Sequence, residues 1–168
     1  MGKITEGRYI FDFGNIPVDK ADIPTYNGLG GVDFIIELKD RYMFIEVKDL
    51  ENKNVPPENR AEWIRRLTIR NDNPFLTDLG VKFKDTIIRN WAKNIEFNKP
   101  IWFIVILQLY KLDARQKAKL SEDLSGKLPT CILERKGFKK NIIIKRREVI
   151  SIEDWKNKYP EFPIQEII

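Results

Sequence analysis

Residues 30–49, GGVDFIIELKDRYMFIEVKD, read as two β-strands, 34–38 and 42–47, around a turn at 39–41. With an even-numbered turn, Asp33 faces Lys48 and Phe34 faces Val47, and side chains alternate between the two faces of the pair. One face then collects Phe34, Ile36, Leu38, Met43, Ile45 and Val47, all apolar. The other collects Asp33, Ile35, Glu37, Phe44, Glu46 and Lys48. An odd, unbulged turn mixes the two sets, so the clean sorting supports the even register.

The second face raises a chemical question. Asp33 and Lys48 face each other and Glu46 lies one step along, so two carboxylates and an ammonium converge. The carboxylates can share a divalent cation, and Mg²⁺ suits oxygen ligands at about 2.0–2.1 Å. Such a cation lowers the pKa of a water and neutralises charge on a phosphate. The lysine can orient or deprotonate that water, or stabilise the charge of the pentavalent phosphorane. The structural alternative is a solvated hairpin face with a cross-strand salt bridge. Against it, Ile35 and Phe44 sit among the charges, so something covers this face. Gly28, Gly30 and Gly31 also allow close backbone approach just before Asp33.

Composition narrows the chemistry further. The 168 residues favour one domain, 1–168, with 42% hydrophobic and 33% charged residues. No apolar run approaches a membrane span of about 18 residues, and the N-terminus lacks a signal-peptide pattern, so a cytoplasmic protein is expected. The chain has no histidine. That excludes Ser-His and Cys-His catalysis and His-dependent zinc sites. Cys131 is the single cysteine and reads as a strand residue. Hydrolysis must therefore run on carboxylates, lysines and a hard metal. A net charge of +5 and a pI near 9.2 favour polyanionic partners, nucleic acid above all.

Along the chain, 8–13 alternates, with Tyr9, Phe11 and Phe13 on one face, and predicts a strand. Residues 14–31 predict a long loop with a helical turn near 18–21. A helix is expected over 57–70, opened by Pro57, with Trp63, Ile64 and Leu67 inward. A second is expected over 77–95, capped by Thr77 or Asp78, with Leu79, Phe83, Ile87, Trp91 and Ile95 on its inner arc. The run 101–109 reads as a strand buried on both faces. A helix over 113–124, a hairpin of 130–134 with 141–145, and a helix starting at Ser151 complete the pattern. The expected fold is a mixed α/β domain: a central sheet of four to five strands flanked by helices, with a C-terminal hairpin and helix.

The stretch 30–49 resembles the PD-(D/E)XK nuclease superfamily, whose restriction-endonuclease-like core places an aspartate at one strand and Glu-x-Lys on the next. Asp33, Glu46 and Lys48 match those positions, while Gly31-Val32 stands where the family name has proline. The resemblance implies a nuclease: Mg²⁺-dependent (or Mn²⁺-dependent) hydrolysis of phosphodiester bonds in nucleic acid, DNA before RNA. It implies Asp33, Glu46 and the main-chain carbonyl of Val47 as metal ligands and Lys48 as the catalytic lysine. The leading acid of the family has only Glu6 as a nearby counterpart. The family often places a lysine on the helix after the hairpin, which makes Lys84 the expected auxiliary catalytic residue. Duplex cutters of this class often pair, so a homodimer is compatible with the reading.

Lys84 lies on the apolar arc of that helix, where it either snorkels or points at the phosphate. Lys82 falls on the polar face, as a solvated charge or a backbone-phosphate contact. Around the late hairpin seven cations fall within thirteen residues, including Lys136, Lys139, Lys140 and Arg146. They form the expected nucleic-acid-binding surface. Two alternatives remain open: a nucleic-acid-binding module without catalysis, and an interaction protein whose hairpin charges are structural.

Overall fold

The computed structural model describes residues 2–21, 28–69, 72–110, 112–129 and 142–167. Five strands form the central sheet. β3 (Val18–Lys20), β4 (Phe34–Glu37) and β5 (Tyr42–Asp49) run antiparallel, and β6 (Ile101–Gln108) and β7 (Ile144–Ile150) continue from β5 in parallel. Parallel neighbours need long crossovers. The first is made by α1 (Pro57–Thr68) and α2 (Pro74–Ala92), the second includes α3 (Ala114–Ser125). A second, antiparallel sheet of β1 (Lys3–Glu6), β2 (Tyr9–Asp12) and β8 (Ile164–Glu166) sits with α4 (Ile152–Lys158) on the other side. The chain is thus a mixed α/β fold in layers. Among the described residues, no helix is long and apolar enough to cross a membrane.

Both faces of the central sheet are buried. Phe34, Ile36, Met43, Ile45 and Val47 pack against Tyr9, Phe11, Phe13 and Trp155. Phe11 lies 5.1 Å from Phe34 and 6.0 Å from Trp155, whose indole N–H donates to the Phe162 carbonyl at 2.8 Å. The opposite face, with Ile35 and Phe44, is covered by α2. Phe83 stacks 5.4 Å from Phe44 and 5.2 Å from Phe103.

Local signals explain most boundaries. Pro57 and Pro74 occupy the first turns of α1 and α2, where a missing N–H costs nothing. Asp113 with Gln116, and Ser151 with Asp154, form reciprocal capping boxes that start α3 and α4.

The differences from expectation are instructive. The hairpin keeps its faces but slides by two residues: Phe34 pairs with Ile45 and Glu37 with Tyr42. The Leu38 N–H donates to the Arg41 carbonyl at 2.8 Å, closing a two-residue turn at Lys39 and Asp40. A slip of two preserves parity, so no side chain changes face. Residues 18–20 form an edge strand rather than a helical turn. α2 starts at Pro74 rather than at 77, because the Asn73 side chain accepts from the N–H groups of Phe75 (3.0 Å) and Leu76 (3.3 Å). Residues 144–150 join the central sheet beside β6. The first arm of the expected late hairpin, with Cys131, Lys136, Lys139 and Lys140, lies outside the described residues.

Candidate active site

Asp33 stands immediately before β4 and Glu46 in the middle of β5, and both side chains are almost wholly buried, at 3% and 0% exposure. The two-residue slip carries Asp33 toward Glu46 rather than toward Lys48. Asp33 Oδ2 accepts a 2.6 Å hydrogen bond from the Val47 N–H, so the carboxylate closes the strand pair where backbone pairing stops. Alternate residues of a strand direct their N–H and C=O to the same edge. The Val47 carbonyl therefore leaves β5 on the edge that Asp33 occupies.

Two ammonium groups meet these carboxylates. Lys48 ion-pairs with Glu46 Oε1. Lys82, from α2, lies 2.8 Å from the same oxygen and 3.7 Å from Asp33 Oδ1. These are charge contacts without hydrogen-bonding geometry: both Glu46 oxygens are buried and neither accepts a hydrogen bond. The Asp33 carboxyl is pushed up to about 7. Burial is the main cause and the neighbouring Glu46 charge adds to it, while Lys48, Lys82 and the Val47 N–H oppose. A buried pair of acids that repel each other, with Glu46 Oε2 left without a partner, is chemically suited to a hard cation. Among the described residues, no group of three or more acidic, histidine or cysteine side chains is arranged to hold a metal. The donors at hand are thus Asp33, Glu46 and the Val47 carbonyl.

The position of Asp33 depends on α2. Gly30 N–H donates to Asp85 Oδ2 at 3.0 Å and Val32 N–H to Thr86 Oγ1 at 2.9 Å. Arg89 donates to the Ala21 carbonyl on the neighbouring segment. Gly31 has no room for a side chain: an added Cβ would lie 2.4 Å from the Ala21 carbonyl oxygen. One flank of α2, Lys82, Asp85, Thr86 and Arg89, therefore grips the strand entry and reaches the carboxylates.

This flank corrects the expectation for Lys84. Residues 82 and 84 project about 200° apart on a helix, and Lys84 is exposed, away from the carboxylates. The inner arc drawn through Trp91 and Ile95 is misplaced, since Trp91 is 65% exposed. Burial turns instead toward Asp85, Thr86, Arg89 and Asn90, which bond to backbone. The spacing of Lys82, Asp85 or Thr86, and Arg89 was the available signal, hidden because polar residues read as solvated.

Arg146 does not join the site either. It stacks 4.2 Å from the Trp102 ring, which Arg41 covers at 3.9 Å, and Trp102 packs with the apolar cluster on the opposite face of the sheet. Arg65 pairs with Glu62 at 2.7 Å and Arg66 with Asp78 at 2.5 Å, tying α1 to itself and to α2.

Beside the carboxylates lies a cavity of about 280 Å³ that Asp33, Val47, Lys48 and Lys82 share with Glu6 and with Asn59, Arg60 and Trp63 of α1. A second, of about 170 Å³, lies beyond Lys48, Trp63 and Lys82. Trp63 packs partly buried against the core, as expected, and its ring also lies 5.0 Å from the Lys48 ammonium. Comparison with protein-family models, with curated proteins and with solved structures finds no match.

Proposed function

We propose that the chain is a metal-dependent nuclease that hydrolyses phosphodiester bonds in nucleic acid, with DNA the expected substrate. The observation that carries this reading is the buried meeting of Asp33 and Glu46 under two lysines, with Glu46 Oε2 buried and without a partner. It is in keeping with the resemblance of residues 30–49 to the PD-(D/E)XK superfamily. The order β3, β4, β5, α2, β6, antiparallel then parallel, is compatible with that resemblance.

Asp33, Glu46 and the Val47 carbonyl are the groups to hold Mg²⁺ or Mn²⁺. When bound, the cation supplies charge neutralisation on the scissile phosphate and a more acidic water. Lys48 would orient the attacking water, whose oxygen bonds to phosphorus as one ester P–O bond breaks; the water's proton passes to solvent and the departing alkoxide takes one from solvent. Lys82 takes the auxiliary position expected of Lys84 and steadies the negative charge on the phosphate oxygens.

The test is cleavage of supercoiled, linear, branched and single-stranded DNA, and of RNA, with and without Mn²⁺. Asp33→Ala, Glu46→Ala and Lys48→Ala each abolish metal-dependent cleavage while the fold persists. Unchanged cleavage in all three overturns the assignment.

One observation favours a second reading. Two carboxylates and two ammoniums sum to zero charge, so the quartet can persist as a closed ion network without metal. A nucleic-acid-binding protein without catalysis then results, and it gives salt-sensitive binding and no product with either cation.

A further inference from the structure

The proposed reaction centre is recessed. Asp33 and Glu46 are 3% and 0% exposed, and α1 walls the adjoining cavity with Asn59, Arg60 and Trp63. A duplex carries its phosphates on the outside of a stiff rod with a persistence length of about 150 base pairs. Bringing one of its phosphates to carboxylates this deeply buried, past α1 on one wall of a cavity of about 280 Å³, costs deformation of the duplex. A flexible single strand enters without that cost.

Two α1 side chains have the chemistry to hold such a strand. Arg60 Nε is buried and has no hydrogen-bond partner. A guanidinium stays charged, so this donor calls for an anionic acceptor. Trp63 lies beside the Lys48 ammonium at 5.0 Å, which puts the indole one side chain away from the carboxylates. It borders both cavities. A base stacked there belongs to a nucleotide at or next to the scissile phosphate.

We infer that the α1 wall selects unpaired nucleic acid: Trp63 stacks on a base of a single strand and Arg60 holds a phosphate of the same strand. The inference rests on the carboxylate pair being the reaction centre, and it adds the substrate class.

The experiment uses the full chain and a fluorescent 20-nucleotide DNA, its RNA counterpart, and the same DNA in a blunt duplex. Binding is read by anisotropy in EDTA, and cleavage in Mn²⁺. The expected result is single-strand binding about 10-fold or more tighter than duplex binding. Trp63→Ala lowers it about 10-fold, a loss typical of one stacked base, while Trp63→Phe retains most of it. Arg60→Gln lowers single-strand binding and flattens its salt dependence. Thermal melting establishes that each variant is folded. Equal affinity for both forms, no affinity for either, or a Trp63→Ala loss equal on both overturns the inference. Duplex cleavage indifferent to Trp63 leaves the nuclease reading standing and removes this one. Trp63-dependent single-strand binding without cleavage does the reverse. The DNA and RNA arms decide which sugar the site accepts.

Discussion

Both faces of the five-stranded sheet are buried and apolar, and they differ chemically at one end. Toward β1, β2, β8 and α4, the filling is aromatic and aliphatic, centred on Phe11, Phe13, Phe34 and Trp155. Toward the helices, Ile35, Phe44, Phe83 and Phe103 give way at one end to Asp33, Glu46, Lys48 and Lys82. Apolar burial on the first face stabilises the fold at about 25 cal/mol per Å². Ionised side chains on the second face are costly to desolvate, and well-packed apolar residues of similar volume often serve stability better. A sheet that closes one face so well with aromatics has no structural need for acids on the other. The contrast teaches that apolar packing on both faces holds the protein together, while one end of the second carries buried charges that stability alone does not call for.

Substitutions on the two faces should therefore separate stability from activity. Trp155→Ala has the largest expected effect, a loss of about 3–5 kcal/mol in urea unfolding, because it opens a large cavity and leaves the Phe162 carbonyl without its indole donor. A loss below about 1 kcal/mol would break the assignment of Trp155 as a keystone of that core. Next, Lys82→Ala should lower metal-dependent cleavage about 100-fold, roughly 3 kcal/mol, and Lys84→Ala by less than about 2-fold. The reverse order would restore Lys84 to the site.

Thr86→Val tests the link between helix and strand. It keeps the shape but leaves the Val32 N–H unpaired, for an expected cost of about 1–3 kcal/mol in unfolding. Cleavage should fall as well, since Val32 precedes Asp33.

An effect of similar size concerns pH. Asp33 has a folded value of about 7 against an ordinary 3.8. Between those values the folded protein retains a proton that the unfolded chain has released. This group therefore favours folding at low pH, and its contribution declines as pH rises toward 7. Asp33→Asn removes the decline. Relative to the parent without metal, the variant should gain about 2–3 kcal/mol on going from pH 5 to pH 8, read as a shift of roughly 5–10 °C in melting temperature. A relative loss over that range would mean that the lysines outweigh burial and Glu46.

Much of the fold was legible because its signals are local. Strand alternation sorted Phe34, Ile36, Met43 and Ile45 from Ile35 and Phe44, and the structure keeps that sorting. Pro57 opened α1, and Ser151 with Asp154 opened α4. Short edge strands were harder. β1, β3 and β8 contain three or four residues each, too few for a periodic signal, and exist through their partners. In the site, Asp33, Glu46 and Lys48 stood out as charges in an apolar hairpin. Lys82 did not, because a lysine among polar neighbours on a helix looks solvated. Trp63 was legible only as an inward residue of α1, and Arg60 not at all, since only the tertiary packing of α1 brings them to the cavity that Lys48 borders.

From the sequence alone came the mixed α/β class, the parity of the hairpin and the residue types available for chemistry: acids and lysines, with no histidine. These depend on side-chain alternation and composition, which no distant contact alters. The tertiary structure decided the two-residue register and the rotation of α2. Register is set by turn closure and by Asp33 taking the Val47 N–H; helix rotation is set by Asp85, Thr86 and Arg89 bonding to a backbone some 54 to 68 positions away. Bonds between residues so far apart along the chain leave no periodic trace in either segment, and they determine which lysine meets the carboxylates.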